Sequence, residues 1–151
     1  MKLYSKYFYN IFLAISICII LRLLFINSYG DINLDNEWGI LFNNLYSQGV
    51  FSYRSFNDEL IPSVYMPPLY VYYIYFIKLI VPNHFDLVRS VLVSQILLSG
   101  ITVYYFNKIN LIFFSKKLSL ISTYLFTFFP LYIFSSLQIS SISLQIFLNI
   151  I

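Results

Sequence analysis

An all-α, polytopic helical membrane protein is the fold class this sequence predicts, and three observations predict it. Sixty per cent of the residues are hydrophobic and only 10% are charged, against about a quarter charged in ordinary globular domains. The apolar runs are continuous and do not alternate, so they suit membrane helices and not the strands of a barrel. Five of the six acidic residues, Asp31, Asp35, Glu37, Asp58 and Glu59, fall in one stretch, residues 30–69, whose only basic residue is Arg54. The expected architecture is about three to four transmembrane helices, with two surface helices in the first outer loop, in a single domain over residues 1–151.

The same composition excludes several functions. A net charge of +3, scattered along the chain, gives no electrostatic footprint for nucleic acid. Cys18 is the only cysteine, so no internal disulfide forms. There is no glycine-rich phosphate loop, no Cys or His ligand cluster, and no Ser-His-Asp set. His84 stands in a turn beside Asn83 and Asp86 and reads as an interfacial polar residue.

The first span is expected over residues 8–26. Lys2 and Lys6 precede it, and neither the short apolar run nor the small-residue cleavage site of a signal peptide is present. It therefore reads as uncleaved, with its amino end cytoplasmic. Arg22 lies near the outer end of this span. It either snorkels to the interface or stands as a cation beside an anionic ligand.

Residues 27–86 form the outer loop. Trp38, Leu41, Phe42 and Leu45 recur at i, i+3, i+4, i+7, which predicts a short amphipathic helix along the membrane surface. Asp35 occupies the expected N-cap position, Glu37 falls in the first turn where the helix dipole favours an anion, and Gly49 closes the far end. Pro67 and Pro68 interrupt the chain, and Pro68 or Leu69 starts a second helix that runs to Val81, before Pro82. That helix is about 20 Å long against roughly 30 Å of hydrocarbon, too short to cross. If it stays at the surface, with Tyr70, Tyr72, Tyr73, Tyr75 and Lys78 at headgroup level, then Lys108, Lys116 and Lys117 fall on the cytoplasmic side with Lys2 and Lys6.

The second span is expected over residues 87–106. Arg89 opens it, and Gln95, Ser99 and Thr102 at i, i+4, i+7 make a polar stripe that suits contact with other helices, while Ser90 and Ser94 permit close approach. A basic inner loop, residues 107–117, leads to a third span over 118–135, broken near its outer side by Pro130. A partial span over 137–151 makes the domain read as incomplete.

The one candidate for chemistry is the Asp35-x-Glu37 pair at the mouth of the first span. A carboxylate there can accept a proton from a hydroxyl held within hydrogen-bond reach, and it can equally be a helix cap. What surrounds it widens the reading. A span is followed by Asp35 opening an amphipathic helix, then Asn44-Leu45, Gly49-Val50-Phe51-Ser52 and Pro67-Pro68-Leu69-Tyr70. Arg89 and Gln95 in the second span and Pro130 in the third complete the order. This order resembles the front part of the GT-C membrane glycosyltransferases, which include the protein O-mannosyltransferases, the aminoarabinose transferase acting on lipid A, and bacterial polyprenyl-phosphate-sugar transferases.

The resemblance implies an inverting transfer of a sugar from a polyprenyl-phosphate carrier to an acceptor on the outer face of a bacterial inner or plasma membrane. In it Asp35 is the general base, Glu37 assists, and Arg22, Arg89 and Tyr70 bind substrate or its phosphate. No cofactor is identified; a divalent metal sometimes binds in the family's loop, and no metal ligands are assigned here. The partners implied are membrane lipid, the lipid-linked sugar and a carboxy-terminal part supplied as a separate chain, with no nucleic acid. The chain departs from the family at Met66, where a basic residue or His often precedes Pro-Pro-Leu, and at Ile142, where an acid is usual. A different class of function stays open: a small non-enzymatic membrane protein packing against a partner through Ser90, Ser94 and the Gln95 stripe. A transporter remnant is a third reading, disfavoured because every acid lies in a loop or at a span end.

Overall fold

The computed structural model describes residues 2–56, 59–62, 66–81 and 83–151. Among these, the chain forms seven helices and one two-stranded hairpin, in the order α1 (Lys2–Tyr29), α2 (Glu37–Gln48), β1 (Arg54–Phe56), β2 (Glu59–Ile61), α3 (Pro68–Ile80), α4 (His84–Phe113), α5 (Lys116–Thr127), α6 (Pro130–Ser135) and α7 (Ile142–Ile150). Two of them, over Tyr7–Tyr29 and Asp86–Phe113, are long and apolar enough to cross a membrane. Asp58 and Pro82, which the sequence reading used, lie outside the described residues. The chain divides into two compact units, one made of residues 1–30 and 92–151, the other of residues 31–91.

The first unit has a polar interior and an apolar exterior. Ala14, Cys18 and Val103 form a small buried cluster, joined by Ile15, Tyr124 and Phe126. Around it Arg22, Gln95, Ser99, Thr102, Asn107, Ser119 and Thr123 are buried, while Phe8, Phe12, Ile20, Leu24, Ile112, Leu125 and Leu131 are exposed. The small residues explain why the helices meet here, since little side chain separates their backbones. A Cβ added at Gly100 would come within 3.0 Å of the Ile19 side chain on α1. The expected polar stripe of α4, Gln95, Ser99 and Thr102, is wholly buried.

Helix boundaries differ from the expectation in two places within this unit. The basic inner loop of residues 107–117 is not a loop. Helix α4 continues to Phe113 and α5 resumes at Lys116, leaving only Phe114 and Ser115 between them. Asn107 and Asn110 sustain the extension by donating from their side-chain amides to Ser119, Thr123 and Ser122 of α5. The segment expected as a third span does break at Pro130, which starts α6 where its missing N–H costs nothing. The last apolar segment is helical only from Ile142, because 136–141 is a turn.

The second unit is built from α2, α3, the hairpin and the first turns of α4. Trp38, Leu41 and Phe42 of α2 and Tyr70, Val71 and Ile74 of α3 are buried, so the apolar stripe of α2 is spent inside the unit. Trp38 and Tyr70 meet edge to face with ring centroids 5.0 Å apart, a preferred aromatic geometry. Gly49 ends α2 in the left-handed conformation, φ 70°, that side chains rarely adopt. Helix α3 starts at Pro68 as expected. Leu69, Tyr72, Phe76, Leu79 and Ile80 remain exposed along it.

The stretch after Gly49 contains the hairpin. Its strands pair antiparallel, with Arg54 opposite Ile61, Ser55 opposite Leu60 and Phe56 opposite Glu59. Ser52 anchors it to α2: its buried hydroxyl donates to the Ile61 carbonyl at 2.6 Å, and its own carbonyl accepts from the Asn44 side chain at 2.8 Å.

Candidate functional site

The acidic mouth begins where α1 ends. Leu34 is buried and Asp35 exposed, so the chain turns over between them and presents the carboxylate outward. Asn36 then takes the cap that Asp35 was expected to supply. Its backbone is extended, φ −86° and ψ 179°, and its side-chain oxygen accepts the Gly39 N–H at 3.1 Å. The correction is one residue in register, and its cause is that Asn is as good a cap as Asp. Asp35 is therefore spared structural duty in α2. Glu37 is the first helical residue, where an anion is favoured by the helix dipole.

The other residues assigned to the site take different places. Tyr70 lies in the same unit, but it is 1% exposed. Its ring packs on Trp38 and Tyr73. It packs against the first turn of α2 through Trp38. Arg89 is exposed on the second turn of α4, also in this unit. Asn44, Gly49 and Ser52, three of the positions that carried the family resemblance, are the cap and hydrogen bonds that hold α2 and the hairpin together. Among the described residues, no three His, Cys, Asp or Glu side chains gather closely enough to hold a metal ion.

Arg22 belongs to the first unit and does not snorkel. It is fully buried, two turns before the carboxy-terminal end of α1. Its Nε donates to Ser136 Oγ at 3.0 Å, and its Nη1 donates to the Cys18 carbonyl at 3.1 Å and the Cys18 sulfur at 3.0 Å. The guanidinium carbon lies 4.7 Å from the centroid of the Tyr132 ring, within cation–π range. Gln95 braces the same turn, donating to the carbonyls of Ser136 and Gln138 at 3.3 and 2.8 Å. Sequence reasoning missed this cluster. Its only signals are a lone arginine in an apolar run and the serines of residues 135–143, and neither tells which meets which.

Comparison with protein families, curated proteins and solved structures returns no significant match for the chain.

Proposed function

We propose that this chain is the amino-terminal, acid-bearing portion of an inverting membrane glycosyltransferase of the GT-C type. In this reading the protein is an integral membrane protein of three to four spans, with residues 27–86 on the outer face. The first unit's arrangement supports the membrane setting, because exposed apolar and buried polar side chains suit lipid and not water as solvent.

The observation that carries the catalytic reading is the placement of Asp35. An exposed carboxylate next to a cap it does not form has no role in closing α2, which leaves it available to a hydroxyl. In the proposed reaction the acceptor oxygen attacks the anomeric carbon of a polyprenyl-phosphate sugar. Asp35 takes the proton from that oxygen, the bond from anomeric carbon to phosphate oxygen breaks, and the lipid phosphate leaves with its electron pair. Configuration inverts because attack and departure are on opposite faces. A positioned general base contributes about 10²- to 10⁴-fold. Glu37 assists by holding the acceptor. Arg89, in the same unit and exposed, is the cation assigned to the departing phosphate, and Tyr70 acts by supporting Trp38 beneath the acidic turn.

The test is transfer of radiolabelled sugar from a polyprenyl-phosphate donor in membranes, measured for this chain alone and for the chain co-expressed with whatever reading frame follows it. Transfer that is lost on Asp35→Asn supports the assignment. Transfer that survives the substitution removes Asp35 from the mechanism, and no transfer in either preparation, with insertion verified, removes the glycosyltransferase reading.

A further inference from the structure

The polar stripe of α4 that suits contact with other helices is spent inside the first unit, where Gln95, Ser99 and Thr102 are wholly buried. A second polar stripe is not. On α7, Ile142, Gln145, Leu148 and Asn149 are exposed, while Ser143 is buried. Apart from tyrosines, the other exposed polar side chains described in this unit are Asn27, Ser28, Lys108, Ser115, Lys116 and Lys117. Those lie in the last two turns of α1 or α4, or between there and the first turn of α5. Gln145 and Asn149 stand instead among the apolar residues of α7.

The chain enters α7 beside the end of α1, because Ser136 accepts from Arg22 and Gln138 donates to the Tyr29 carbonyl at 2.7 Å. Ile142 and Ile146 then wall one apolar space with Phe126, Phe129 and Phe134 of the preceding segments. Gln145 Nε2 donates to Ser141 Oγ at 2.7 Å. A primary amide has two N–H donors and an oxygen that accepts twice, so that bond leaves most of its capacity unused. Hydrocarbon offers such a group nothing.

The spacing says what kind of partner fits. Ile142, Gln145 and Asn149 fall at i, i+3 and i+7, the a, d and a positions of a heptad, which is the seam of a left-handed helix pair. A polar Asn at an a position fixes register and the number of strands, and a β-branched residue such as Ile at a favours two. A second copy of this chain enters the membrane in the same orientation, so it brings both amides to matching depth. An amide complements itself, donor to acceptor, and a two-fold axis along the membrane normal closes the pair.

We propose that α7 is the seam of a parallel homodimer, in which Gln145 and Asn149 of one copy hydrogen-bond to the same two side chains of the other. This rests on the membrane setting given above and not on the transfer reaction, since the seam uses none of the acids.

The experiment is resonance energy transfer between copies of the full chain, fused at the amino end to a donor or an acceptor fluorescent protein, in phosphatidylcholine vesicles over a range of lipid-to-protein ratios. Wild type dimerises. The double substitution of Gln145→Leu with Asn149→Leu weakens the dimer by about tenfold or more, as expected for losing two amide pairs between membrane helices. Helix content is retained, because both side chains are exposed and Leu is a good helix former. As an independent readout, Ile142→Cys at the seam gives a disulfide-linked dimer on mild oxidation, and Leu97→Cys, exposed on α4, does not. Equal dimerisation by wild type and the double variant, or equal cross-linking at positions 97 and 142, overturns the proposal. An inserted chain that stays monomeric at every ratio overturns the seam alone, whereas a chain that alkaline carbonate strips from the vesicles overturns the membrane setting and the seam together.

Discussion

Asn36 receives the N–H of Gly39 at 3.1 Å while its neighbour Asp35 stays outside the cap. On the proposed reading, the two residues separate stability from chemistry. Asn36→Ala is expected to destabilise the chain by about 1 kcal/mol, the usual effect of deleting a cap side chain. Asp35→Asn is expected to leave the unfolding midpoint in detergent unchanged and to lower transfer by about 10²-fold or more. Denaturant unfolding followed by helix content, set beside initial transfer rates, checks both. A drop in stability for Asp35→Asn equal to that for Asn36→Ala would return Asp35 to a structural role.

Gly39 is the third residue of α2, where the chain entering the helix passes over it. A Cβ at this position would overlap the backbone carbonyl of Leu34, immediately before Asp35. Backbone cannot step aside as a flexible side chain does, so Gly39→Ala is expected to shift the 34–35 segment or unwind the first turn. Ala is intrinsically the better helix former by about 1 kcal/mol; a net loss of stability would show that the overlap outweighs it. The substitution is expected to lower transfer as well, since it moves Asp35 without changing any polar group. A more stable, fully active Gly39→Ala variant would contradict this account of the turn.

The helical character, the breaks at Pro68 and Pro130, the Gly49 cap and the inward stripe of Gln95, Ser99 and Thr102 were all legible before the structure, because each follows from local chemistry or from a period of 3.6 residues. What escaped depends on partners distant in sequence. The hairpin over residues 54–61 has no strong turn dipeptide or alternation, and Ser52 fixes it through a carbonyl nine residues on. The extension of α4 past Phe106 needs the Asn107 amide to find Ser119 and Thr123. The cap slipped from Asp35 to Asn36 because two adjacent residues qualify equally and only the entry path of the chain decides. Arg22 read as a cation that either snorkels or stands beside an anionic ligand, because Tyr132 and Ser136, which help to bury it, lie more than a hundred positions away.

Gln95 holds the turn after α6 through two carbonyls, those of Ser136 and Gln138, and that turn carries the hydroxyl Arg22 uses. Hydrogen bonds between membrane helices average about 0.6 kcal/mol and reach about 1.7. Gln95→Leu, which keeps the volume and deletes both donors, is expected to lie toward the upper end, near 1.5 kcal/mol, since it also strands two carbonyls. Gln95→Glu removes the donors and introduces a charge, and is expected to be worse. Unfolding in mixed micelles measures the difference; an effect within experimental error for Gln95→Leu would mean the turn is held by its apolar contacts alone.

Asn107 is the residue on which three helices depend. Its Oδ1 accepts the Tyr7 hydroxyl of α1 at 3.0 Å, and its Nδ2 donates to Ser119 Oγ at 3.1 Å and Thr123 Oγ1 at 2.9 Å on α5. Both roles need an amide. Asn107→Asp keeps the acceptor and loses both donors, whereas Asn107→Ala loses all three bonds at once. Because Asn107 is 1% exposed, the aspartate would also bury a charge, so Asn107→Asp is expected to destabilise more than Asn107→Ala despite retaining one bond. Ser119→Ala and Thr123→Ala each remove a single partner and are expected to cost about 0.6 kcal/mol. The double change with Asn107→Ala should then cost less than the sum of the single changes, since the bond can be lost only once. Strict additivity in that cycle would show that the asparagine and the two hydroxyls do not act together.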